Sequence, residues 1–133
     1  MNDIAEDIKD YLLTNESLYL EFGVNLFIAK EPMTPDQCTT LISMTGFSDD
    51  LMLSYSDKVD NPSLRIRVRA TSYEAGESLI NDIRDFLQGK GNIIINGMNY
   101  MYMRCTIPPY QSGWDKPNRR ISFDTMFRFK RSL

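Results

Sequence analysis

The first regularity along the chain is helical. Ile4, Ile8, Tyr11 and Leu12 recur at the spacing of one helix face, and Asp3 and Glu6, with Asn2 as an alternative cap, have capping-box spacing. Thr14-Asn15-Glu16-Ser17 ends that helix. Val24, Leu26 and Ile28 then alternate with Asn25 and Phe27, which predicts a strand over 24–30 that stops at the prolines of Glu31-Pro32-Met33-Thr34-Pro35. Residues 39–45 read as β and stop at Gly46. Leu51, Leu53 and Tyr55 alternate again, which leaves a strand open for part of the stretch from Ser48 to Pro62, but its polar flanks suggest a mobile loop.

The pattern sharpens at Ser63. Leu64, Ile66 and Val68 fall on one side and Arg65, Arg67 and Arg69 on the other, the period of a half-buried strand. Thr71 and Glu74 form a second capping box. It opens a helix with an apolar stripe of Gly76, Leu79, Ile80, Ile83, Phe86 and Leu87, stopped by Gly89-Lys90-Gly91. Two further β segments, 92–95 and 98–107, flank Asn96-Gly97, a strong hairpin signal. Pro108 to Asn118 reads as a long connector. A final strand follows, in which Ile121, Phe123, Thr125, Phe127 and Phe129 alternate with polar or flexible residues.

This order, α-β-β-(β)-β-α-β-β-β, predicts an α+β fold: one domain over 1–133, a twisted, mostly antiparallel sheet with two helices packed on it. Composition does not change the picture. The 133 residues are 42% hydrophobic and 25% charged, as in an average globular domain. The net charge of −3 and a pI near 4.9 argue against a general nucleic-acid or membrane-surface binder. The acidic N-terminus lacks the features of a signal peptide, so a cytoplasmic site of synthesis is expected.

Candidate chemistry is sparse. Histidine is absent, which removes the commonest general base and metal ligand. Cys38 and Cys105 suit neither a disulfide framework nor a zinc site. No phosphate-binding glycine motif occurs. Asp49, Asp50, Asp57 and Asp60 cluster in sequence without a recognised cation-loop pattern. No cofactor or metal is expected, and no enzyme activity.

Two features remain. The Arg65, Arg67, Arg69 stripe is either a solvated strand face or a contact surface for carboxylates of a neighbouring subunit. Like charges about 7 Å apart repel unless partnered. Trp114, in its proline-bounded segment, is either tucked onto the body or offered to a partner.

Taken together, these stretches resemble a family of tailed-phage minor capsid proteins related to the tail terminators of long-tailed phages. The resemblance rests on the N-terminal helix and Gly23-Val24-Asn25-Leu26-Phe27, on Ser63 to Arg69 running into Tyr73-Glu74-Ala75, and on Pro108-Pro109. It ends on Gly113, Asp115 and Arg119 leading into Ser122-Phe123. It implies a virion protein, assembled in the host cytoplasm, that caps the tail tube at the head–tail junction as a ring, a hexamer in terminators. The cap ends tube polymerisation and offers a surface to the head connector. The partners implied are other copies of the chain, the tail-tube protein and the connector. DNA passes through without specific binding, and no membrane is involved.

A ring of identical subunits needs two different faces that fit each other. Arg65, Arg67, Arg69, Trp114, Asp115 and Arg119 are the candidate contact residues, with the acids near Asp49-Asp50 as a complementary face. The alternatives are a head-completion protein of the same structural class, a metal-dependent nuclease using Asp49, Asp50 and Asp57, and a peptide-binding module using a sheet edge.

Overall fold

The computed structural model describes residues 3–51 and 58–132. In chain order the elements are α1 (Ile4–Leu12), a 3-10 turn (Glu16–Leu18), β1 (Leu26–Ile28), β2 (Cys38–Leu51) and β3 (Lys58–Ala70). They continue with α2 (Tyr73–Leu87), β4 (Ile93–Ile95), β5 (Met98–Asp115) and β6 (Arg120–Ser132). The strands form one six-stranded sheet in the order β1-β2-β3-β6-β5-β4, curled into a half-barrel. Every pairing is antiparallel except that of β1 with β2. The expected mostly antiparallel sheet with two helices is therefore present.

Local chemistry explains the helices. Asp3 caps α1 by accepting from the Ala5 amide at 3.2 Å, and Ile4, Ala5, Ile8 and Leu12 are buried against the sheet. For α2 the cap is Ser72, which accepts from the Ala75 amide, rather than Thr71. Its buried stripe is Gly76, Ile80, Ile83 and Leu87, four of the positions read from sequence.

Both helices cover the same side of the sheet. That side carries Leu64, Ile66 and Val68 of β3 and Phe123, Thr125, Phe127 and Phe129 of β6, all almost fully buried. Each fully buried Phe or Leu stabilises the fold by roughly 1.5–3 kcal/mol. The β4–β5 hairpin turns at Asn96-Gly97 with φ of 50° and 81°, the two positive values a type I′ turn requires.

Three expectations are corrected. The strand expected over 24–30 is only Leu26–Ile28, because Val24 stands half exposed outside the ladder. Strand β2 does not stop at Gly46. It continues to Leu51 and pairs with β3 from Lys58, absorbing irregularity as register shifts between Met44, Phe47 and Asp50. Much of the expected loop from Ser48 to Pro62 is thus strand; Leu53 and Tyr55 lie outside the described residues.

The largest correction concerns Pro108 to Asn118. This is not a connector: β5 runs through it to Asp115, paired with β6 as far as Asp115 and Arg120. Only 116–119 form the turn. Register shifts beside Cys105, Ile107, Tyr110 and Gly113 accommodate the two prolines and the glycine. Proline is tolerated on a strand whose other side lacks a partner, and β4 pairs with β5 only at Met98–Tyr100.

Candidate functional site

The strand registers lay out the side of the sheet that faces away from the helices as rows. Met44, Ser63, Arg128 and Arg104 form one row, and Ile42, Arg65, Met126 and Ile107 the next. Thr40, Arg67, Asp124 and Tyr110 follow, then Cys38, Arg69, Ser122 and Gly113. The alternation of β3 therefore places the arginine stripe on the sheet face without helices, as its period required.

Carboxylates of the same chain meet this stripe. Arg67 grips Asp124 in two parallel hydrogen bonds, Nε to Oδ1 at 2.9 Å and Nη2 to Oδ2 at 3.1 Å. That pairing raises the Arg67 pKa above its ordinary value. The same Asp124, buried to 1% exposure, accepts from Ser112 Oγ at 2.9 Å and lies 3.8 Å from Arg65 Nε. Two guanidinium groups thus share one carboxylate.

Arg69 is separate from them. It is buried and holds down the segment after β1: Nη1 donates to Glu31, Nη2 to the Pro35 carbonyl and Nε to the Asp36 carbonyl. Arg120, at the start of β6, binds the Asp36 side chain at 2.6 Å. Cys38 lies fully buried in the same row, and burial pushes its thiol pKa up, away from the thiolate that reactivity needs.

Trp114, Asp115 and Arg119 lie at the tip of the β5–β6 hairpin, beyond the Arg69 end of the sheet. Trp114 is 52% exposed and pairs in register with Ile121. With Thr71, Lys116, Pro117 and Arg119 it lines a shallow pocket. Asp115 accepts from Asn118 at 2.8 Å, and Arg119 has a φ of 55°. The six candidate residues therefore run from the middle of this sheet face to its hairpin tip, with Arg69 buried beneath the segment from Glu31 to Asp36.

Sequence reading missed Asp124, Arg120, Asp36 and Glu31. Asp124 carried a signal in retrospect, being the acid on the polar side of an otherwise aromatic strand. Its partner follows only from the β3–β6 register, which joins residues 57 apart. Of the four clustered aspartates, Asp60 binds Arg131; Asp57 and the side chains of Asp49 and Asp50 lie outside the described residues. Among the described residues no three potential ligands converge as a metal site, and no helix is long and apolar enough to cross a membrane.

Residues 2–123 match the family described as bacteriophage tail terminator protein. The chain belongs to the phage tail terminator family. No curated protein matches it. Among solved structures, a chain from the virion of a native gene transfer agent particle superposes with a TM-score of 0.67, covering 98% of this chain and 95% of that one. At 11% identity this likeness speaks to fold alone. Proteins of this family are structural proteins of the phage tail.

Proposed function

We propose that this protein caps the phage tail tube as a ring of identical subunits, ending tube polymerisation and presenting the surface on which the head connector docks. The observation that carries this reading is the family match across nearly the whole chain. The rows of arginine, aromatic and aliphatic side chains on an uncovered sheet face add to it. Arg is suited to ion pairs with a protein partner, and Trp to anchoring one.

In this reading the protein acts without catalysis or cofactor and resides in the virion at the head–tail junction. Arg65, Arg67, Trp114, Asp115 and Arg119 contribute to subunit or tube contacts, and Arg69 supports them by fixing the segment from Glu31 to Asp36. Neighbouring subunits, the tube protein and the connector are its partners, while DNA passes through the ring without specific binding.

Electron microscopy of particles assembled without this protein tests the proposal. Over-long tail tubes are expected. Tails of normal length that fail to join heads would instead assign the protein to head completion.

A further inference from the structure

Charge is divided between the two sides of the sheet. On the solvent side of α2, Glu74, Glu77, Asp82 and Asp85 are all exposed, and Arg84, the one cation in that helix, pairs with Asp85 at 3.0 Å. On the opposite side, the sheet rows hold Arg65, Arg67, Arg69, Arg104 and Arg128, and among the described residues of those rows Asp124 is the one acid, with Glu31 reaching Arg69 from the segment after β1. Arg67 takes both oxygens of that carboxylate, Arg65 reaches it only at 3.8 Å, and Arg104 is exposed.

Arg104 stands directly across from Arg128 in the β5–β6 register, which places a second cation at that end of the face.

We infer that the basic sheet face of one copy binds the acidic α2 face of the next. This rests on the ring reading and adds to it which two faces meet. The dimensions agree. From Glu74 to Asp85 the helix stripe spans about 16 Å. The arginine rows cover about 13 Å along the strands and about 10 Å across β3, β6 and β5. Ile42, Ile107, Met126 and Tyr110 lie between the charges and supply the apolar area that ion pairs alone lack. Because the faces differ, the contact is head-to-tail: it closes into a ring when the rotation per subunit divides a full turn, and otherwise grows as an open stack. An acidic helix stripe is a better match for this face than a nucleic acid is, given the chain's net charge of −3.

The test uses the full chain, alone and with isolated tail tubes, with mass read by sedimentation at low and high salt. Assembly is expected to weaken with salt. Arg104→Glu and Glu77→Arg, both at exposed positions, should each raise the concentration needed for assembly about 10-fold or more, since like charges then face each other. The chain carrying both substitutions should recover assembly. If assembly is indifferent to either reversal, or is not recovered by the exchange, the ring stands but these faces are wrong. DNA retention by the wild type that Arg104→Glu abolishes, with mass unchanged, overturns the contact in favour of nucleic acid. A chain that stays monomeric on tubes as well as alone overturns the ring reading itself.

Discussion

Asp7 in the first helix and Arg131 in the last strand, 124 positions apart, meet in the interior at 3.2 Å. Asp7 is fully buried and Arg131 nearly so. Tyr100 donates its hydroxyl to the same Asp7 oxygen at 2.6 Å, Asn96 donates to the other, and Asp60 takes the remaining side of Arg131. The cluster ties α1 to β3, β6 and the β4–β5 turn. Removing its cation leaves two carboxylates without the charge that balances them, although Asp7 keeps its bonds from Tyr100 and Asn96. Arg131→Ala is therefore expected to cost about 3–5 kcal/mol, measured by urea unfolding with secondary-structure and fluorescence probes. A loss below about 1 kcal/mol would show that the network is not a structural lock.

Tyr100 sets an alkaline limit. Burial, reinforced by the hydrogen bond to Asp7, pushes its phenol well above the ordinary value of 10.0. With a folded pKa above the unfolded one, its contribution is complete below pH 10 and is lost as pH rises from there toward the folded pKa. Stability should fall above about pH 10, and Tyr100→Phe should flatten that limb while lowering stability at neutral pH by about 1–3 kcal/mol. Thermal unfolding across pH 8–11 tests the sign, and an unchanged alkaline limb in the variant would contradict it.

The acidic limit has a separate origin. Asn96 donates to Asp10 at 2.8 Å, and this bond, more than neighbouring Lys9, lowers the Asp10 pKa. That contribution is present above the ordinary carboxylate value of 3.8 and disappears as pH falls through the lower folded value. Asp10→Asn should make the acid limb shallower below about pH 4 without moving the alkaline one.

Gly76 is required by close approach. A β-carbon there would lie 2.7 and 2.8 Å from two ring atoms of Phe123 and 3.3 Å from the Ala70 side chain. Alanine normally favours a helix interior by about 1 kcal/mol. Overpacking should outweigh that, giving a net loss of about 1–2 kcal/mol for Gly76→Ala. Phe123→Leu in the same chain should relieve part of the clash, and additive losses would show that the two residues do not collide.

Across β3 and β6, Arg67→Ala and Asp124→Asn should not be independent. A double-mutant cycle in unfolding is expected to give a coupling of about 1–3 kcal/mol, in the range of hydrogen bonds to charged groups. Zero coupling would mean that the paired geometry contributes no net stability.

These residues show what was readable in advance. Leu64, Ile66 and Val68 announced their own burial, as did the α2 stripe and the aromatics of β6, because each follows one period that local geometry enforces. The Asp3 cap and the Asn96-Gly97 turn were legible from local geometry too, whereas the second cap fell on Ser72, one residue after the Thr71 expected. The Pro108-Pro109 and Gly113 signals misled because turn residues are also what an edge strand uses to shift register, and sequence does not show which strand is an edge. Arg67 with Asp124 and Asp7 with Arg131 were out of reach: each depends on the register between strands, or on helix docking, set by the whole sheet.

The position of β6 has a consequence for how the molecule is made. It lies between β3 and β5, so before it exists the chain holds two unjoined half-sheets, β1-β2-β3 and β4-β5, with no ladder between them. A ribosome that has emitted everything up to the 116–119 turn has exposed two open hydrogen-bonding edges, and the partner for both is still to come. Until Arg120–Ser132 clears the exit tunnel, each nascent chain can be bridged by the same strand of a neighbour on the same message. Crowding of ribosomes on that message is therefore a route to misassembly, and a pause after the turn offers no protection.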